Sequence, residues 1–100
     1  MASRSNITIL GKKIKIRRPR KLVDESGNEL FGLFDRDKLT IYVSQSPHHD
    51  KDSTLLHECI HAIFFITGQT ETLEHEQEEA IVRAMEHALA PLIRGRLSLS

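Results

Sequence analysis

Asp50-Lys51-Asp52-Ser53-Thr54-Leu55-Leu56-His57-Glu58-Cys59-Ile60-His61-Ala62-Ile63-Phe64-Phe65-Ile66-Thr67-Gly68 is the stretch on which the fold turns. Asp and Ser within residues 50–53 can cap the free N–H groups of a helix start. Gly68 suits the left-handed backbone that ends a helix. The spacing therefore predicts a helix that starts at residues 50–53 and runs to about residue 67. It is apolar on nearly every side, which marks it as central rather than superficial. At about 100° per residue, Leu55, Cys59, Ala62, Ile63 and Ile66 gather on one side. His57 and His61 lie about 40° apart on the other, flanked by Phe64 and Phe65.

Working outward, residues 6–10 and 14–18 are short β-branched runs around Gly11. Ile14 and Ile16 alternate with Lys13, Lys15 and Arg17, the pattern of a half-buried strand. Pro19 should stop that strand. Residues 24–28, Asp-Glu-Ser-Gly-Asn, form a turn. Residues 29–34 and 39–44 flank the polar turn 35–38 and predict a β-hairpin. Residues 44–51 form a loop holding Pro47, His48 and His49. After Gly68, a second helix is expected from about residue 72 to residue 93, kinked near Pro91. Strands followed by two helices make an α+β arrangement with a small antiparallel or mixed sheet of three or four strands. Residues 1–100 suffice for one domain, with basic strands over 1–28 and a frayed tail over 94–100.

Composition narrows the class. The chain is 39% hydrophobic and 28% charged, with zero net charge, as ordinary soluble domains are. No apolar run approaches the roughly 20 residues that span a membrane. No apolar signal segment follows the first residues, so a cytoplasmic location is expected. A single cysteine, Cys59, excludes an internal disulfide and fits a reducing compartment. Charge is uneven: ten Lys/Arg against six Asp/Glu in residues 1–50, and four against eight in residues 51–100. Seven of residues 11–21 are basic. No aromatic residue interleaves them, so a solvated strand face is expected there rather than a nucleic-acid platform.

His57-Glu58-Cys59-Ile60-His61 is an H-E-x-x-H sequence. Two imidazoles one helical turn apart can hold one metal ion from one side, and the adjacent glutamate can reach a water on that ion. Buried on an apolar helix, they need partners, and a cation satisfies both at once. A catalytic zinc takes three protein ligands and an open position. The second helix offers the third. Its apolar stripe is Ile81, Val82, Met85, Ala88, Leu89, Leu92 and Ile93, and Glu78 falls at the stripe's centre. Glu78 is the expected ligand, with Glu79 next and His75 behind it. Glu76 and Glu86 are expected on a solvated face or complementing the helix dipole.

These residues resemble a minimal zincin of the gluzincin type. They are closest to small phage-encoded metallopeptidases and to the ImmA/IrrE-like metallopeptidases. Gly32-Leu33-Phe34-Asp35 leading into Leu39-Thr40-Ile41-Tyr42-Val43 is similar to the family's strand pair before its active-site helix. The stretch from Thr54 through His57, Glu58 and His61 to Ala62 is similar to its zinc helix. Glu78-Glu79-Ala80-Ile81-Val82 resembles the stretch carrying its glutamate ligand. The resemblance covers roughly residues 30–93, with H-E-x-x-H its specific part.

The expected function is that of a zinc (Zn²⁺) metallopeptidase. His57, His61 and Glu78 would hold the metal, and Glu58 would act as general base. A protein or peptide substrate would pair with Thr40–Val43 as an edge strand, a position implied by the resemblance, as is a host-cell cytoplasm. Tyr42, His48, His49 and His75 are candidate oxyanion donors. Cys59 reads as a buried apolar residue, and His87 as exposed. Two other classes compete: a non-catalytic zinc-braced module that binds a regulatory protein, and a binder of acidic partners or nucleic acid through residues 12–21. The retained Glu58 favours the enzyme, since a structural zinc site needs no base.

Overall fold

The computed structural model describes residues 5–93; residues 1–4 and the expected tail 94–100 lie outside the described residues. The chain opens with β1 (Ser5–Ile9) and β2 (Lys12–Arg17), an antiparallel hairpin. Leu10 (φ 50°) and Gly11 (φ 81°) form its turn. Two consecutive left-handed residues match the right-handed twist of a tight hairpin. Ile14 and Ile16 are buried on β2 while Lys13 and Lys15 are exposed, as the alternation predicts. β3 (Leu22–Val23) and β4 (Glu29–Leu30) pair as a separate ribbon. Asp24 closes the turn between them by accepting the Ser26 and Asn28 N–H groups.

β5 (Gly32–Asp35) and β6 (Thr40–Val43) form a second hairpin within the expected 29–44 span, but its first arm is shorter than expected, because Glu29 and Leu30 pair with β3 instead. Asp35 Oδ1 accepts the Asp37 and Lys38 N–H groups in its turn. The main sheet has the order β1-β2-β6-β5, with β2 and β6 parallel and the other pairs antiparallel. The architecture is therefore α+β, with a small mixed sheet of four strands.

α1 (Lys51–Ile66) starts where Asp50 accepts the Asp52 and Ser53 N–H groups. It ends at Thr67, followed by Gly68 at φ 83°. α1 packs against β5 and β6 on one side and against α3 (His75–Ile93) on the other. That middle position explains its nearly uniform apolar surface. Leu55, Cys59 and Ile66 join Ile14, Ile16, Ile41 and Val43 under the sheet. Leu56, Ile60 and Phe64 meet Val82, Met85, Leu89, Ala90 and Ile93 of α3. Each fully buried aliphatic side chain contributes roughly 1.5–3 kcal/mol.

The second helix departs from its expected course. Gln69–Thr72 form a short α2, Leu73 is extended (φ −106°, ψ 146°), and α3 starts at His75. Gln77 Oε1 accepts the Glu74 N–H, half of a capping box, and this fixes the new start. Pro91 lies inside α3, which continues to Ile93. The apolar stripe is narrower than the wheel implied, with Ile81 at 40% and Leu92 at 68% exposure.

Candidate metal centre

The middle turns of α1 carry His57, Glu58 and His61 into the seam between β5 and α3. The two imidazole centroids lie 4.9 Å apart with their planes at 62°. α3 answers with three carboxylates. Glu86 Oε1 stands 2.8 Å from His57 Nδ1, and Glu78 Oε2 stands 2.5 Å from His61 Nδ1. Glu79 Oε1 meets the opposite ring edges, 2.5 Å from His61 Nε2 and 3.5 Å from His57 Nε2. One ligand-capable atom from each of His57, His61 and Glu79 lies within 4.8 Å of the others.

An ionised carboxylate can only accept, so each Nδ1 donates to its partner, Glu86 or Glu78. Both Nε2 atoms then face the Glu79 carboxylate. A proton on either Nε2 would bridge it to Glu79 as a hydrogen bond, and a cation in place of those protons could be held by all three residues at once. Two imidazole nitrogens and one carboxylate suit zinc. A carboxylate behind each ring is also the arrangement by which outer partners fix the tautomer and orientation of histidines that ligate metals. Part-burial by itself would raise the Glu79 pKa. The charges of His61 and His57, the His61 hydrogen bond and Arg83 outweigh it and hold Glu79 below the usual carboxylate range.

Glu58 sits on the strand side of the centre and is only 9% exposed. Burial pushes its pKa up to about 7; the His57 charge pulls down, Glu79 and Glu86 push up, and the Phe34 N–H hydrogen bond pulls down. β5 can approach this closely because residue 32 is glycine. A Cβ there would stand 2.5 Å from Thr54 Cγ2 and 3.0 Å from Glu58 Oε2. A groove of about 440 Å³ opens over His57, Glu58, His61 and Glu79, with Phe34 and Phe65 among its walls.

The sequence expectation differs from the structure at several positions. Glu79, not Glu78, meets the inward Nε2 edges. Glu78 is buried as the wheel required, but its carboxylate lies behind the His61 ring. Glu86, expected in solvent, is held by His57 Nδ1; its place seven residues after Glu79, on the same helix edge, was the available signal. Glu76 is exposed. Thr40–Val43 is an inner strand between β2 and β5, so among the described residues the free edge beside the centre is β5.

Strand alternation puts Tyr42 on the opposite sheet face from Ile41 and Val43, which pack under α1. His48 is exposed and absent from the groove wall. His49 is structural, with Nδ1 at Thr54 Oγ1 (2.7 Å), Nε2 at the Ser44 carbonyl (2.9 Å) and its ring stacked on Phe31. Of the four oxyanion candidates only His75 lines the groove. His87 is exposed. Cys59 packs against the sheet-side core, and burial pushes its thiol up to about 12, which leaves it inert. No helix among the described residues is long and apolar enough to cross a membrane. No family model, curated protein or solved structure matches the chain.

Proposed function

We propose that the chain is a zinc-dependent peptidase in the manner of a minimal zincin, with His57, His61 and Glu79 holding the metal. The observation that carries this is the convergence of those three donors beside a buried carboxylate, Glu58, in an open groove. A zinc ion held there supplies Lewis acidity toward water and toward a peptide carbonyl. Glu58 takes a proton from the attacking water and gives it to the leaving nitrogen as the C–N bond breaks. Its raised pKa suits a group that must both accept and return a proton near neutral pH. Glu86 and Glu78 keep the two rings in the tautomer that binds metal through Nε2. β5 offers an extended peptide a free strand edge along the groove. This replaces Thr40–Val43 in that role.

Metal analysis combined with peptide-library cleavage tests the proposal. Wild type should bind one zinc and cleave. Glu58→Gln should keep the zinc and lose about 10²–10⁴-fold in turnover. Full turnover by Glu58→Gln would remove the base from the mechanism. Zinc without any cleavage would favour the non-catalytic, zinc-braced module.

A further inference from the structure

Three carboxylates, Glu58, Glu78 and Glu79, line the groove over the metal centre, and Arg36 is the one Lys or Arg among its described lining residues. Arg36 follows the last residue of β5 and is exposed. Its guanidinium carbon lies 6.0 Å from the centroid of the Phe65 ring, which packs on Phe34 at 5.9 Å. That ring face steadies the guanidinium without using its N–H donors. Among the described residues no carboxylate forms an ion pair with Arg36, whereas Arg83 on α3 lies 3.9 Å from Glu79. Of its two acidic neighbours in sequence, Asp35 is engaged through Oδ1 with the backbone of its own turn, and Asp37 is exposed and forms no ion pair with it. A fork of N–H donors is thus propped on an aromatic wall of the groove with nothing in it.

We propose that Arg36 is the specificity residue of this groove and binds a carboxylate of the peptide substrate. This rests on the peptidase function proposed above and names the kind of peptide it takes. Apart from the metal centre itself, Arg36 is the fixed cation on the groove wall, and the neighbouring glutamates disfavour an anion beside them, so Arg36 decides where a substrate carboxylate can sit. Guanidinium matches carboxylate with two parallel hydrogen bonds, which a neutral amide cannot return with equal strength. Arg36 lies two residues beyond Phe34, whose N–H reaches Glu58. At about 3.3 Å per strand residue, the recognised carboxylate falls within about three residues of the cleaved bond. It is supplied by a Glu or Asp side chain or by the chain terminus.

The test uses matched synthetic peptides that carry Glu or Gln at each position, each made with a free and an amidated C-terminus. For every pair the ratio of kcat/KM values is measured in wild type, Arg36→Gln and Arg36→Lys. Wild type should prefer the carboxylate peptide by about 10–100-fold. Arg36→Gln should bring the ratio near one, and Arg36→Lys should give an intermediate value because it keeps the charge and loses the fork. The Glu/Gln pairs and the acid/amide pairs show which carboxylate is read. The same peptides are titrated against zinc-loaded Glu58→Gln with and without Arg36→Gln, which reads affinity without turnover. A carboxylate preference in binding that vanishes with Arg36→Gln, in a wild type that cleaves nothing, supports the recognition and sinks the hydrolysis. Cleavage or binding with no preference in either the Glu/Gln pairs or the acid/amide pairs, or no binding of any of these peptides, overturns the role of Arg36. Arg36 is exposed, so a melting curve like that of wild type is expected for each variant and verifies that the fold is intact.

Discussion

α1 has two sides that solve burial in opposite ways. Toward the sheet, Leu55, Cys59 and Ile66 meet Ile14, Ile16, Ile41 and Val43 in a dry contact that needs only shape. Toward the seam with β5 and α3, the same helix buries two histidines and a glutamate among three further carboxylates. The sheet side contributes stability under any condition. Beside the apolar contact of Leu56 and Ile60 with Val82, the polar cluster of the seam contributes according to the protons, or the proposed metal ion, that it holds. One helix thus separates the part of the fold that is permanent from the part that depends on its solution.

The largest effect should come from the dry side. Leu55→Ala removes a residue that is 1% exposed and should cost about 2–5 kcal/mol, with the same loss in zinc and in chelator. His61→Ala should instead abolish the stabilisation that zinc adds and leave the zinc-free melting temperature much closer to wild type. Equal losses for the two variants in chelator would erase the contrast between the two sides.

Next in size is the pH response of the zinc-free protein. The Glu58 pKa is raised on folding, so between its ordinary value and about 7 the folded chain holds a proton that the unfolded chain releases. Its contribution is fully present below the ordinary glutamate range and is lost as pH rises through about 7. The loss is worth up to about 3 kcal/mol. Chemical denaturation across that window should show it as a difference between wild type and Glu58→Gln. Parallel profiles for the two proteins would mean that Glu58 is ionised without cost in the fold.

The smallest effects separate the carboxylates of α3. Glu78→Ala and Glu86→Ala should each weaken zinc by about 10–100-fold, the usual loss for an outer partner of a ligating histidine. Glu79→Ala should weaken it more than either. A larger loss for Glu78→Ala would return Glu78 to the metal and place Glu79 outside.

Much of the permanent side was legible in the residues. The caps Asp50 and Gly68 and the alternation of Ile14 and Ile16 with lysines are local signals, and α1 and β2 formed where they pointed; the turn expected at 35–38 lies one residue later, and residues 29–30 of its first arm joined β3. Sheet order was not legible. The parallel pairing of β2 with β6 joins strands far apart in sequence, and nothing in either names its neighbour. The third donor was half legible. A helical wheel gives azimuth, so it found Glu78 buried; it does not give the sliding of α3 along α1. The short α2, the extended Leu73 and the Gln77 cap set that sliding. One step along the helix then exchanges the residue at Nε2 for the residue at Nδ1.

The distribution of the centre over the chain has a further consequence. His57, Glu58 and His61 all belong to α1, and Glu78, Glu79 and Glu86 all belong to α3. With Cys59 its only cysteine, the chain has no covalent means of joining the two helices. A cation between them, as proposed above, would be a removable cross-link. It would close the intervening loop and withdraw freedom from the unfolded chain much as a disulfide does. Unlike a disulfide, that tie loosens with chelation or acid rather than with a reductant, so metal supply would tune the firmness of the groove wall that α3 provides.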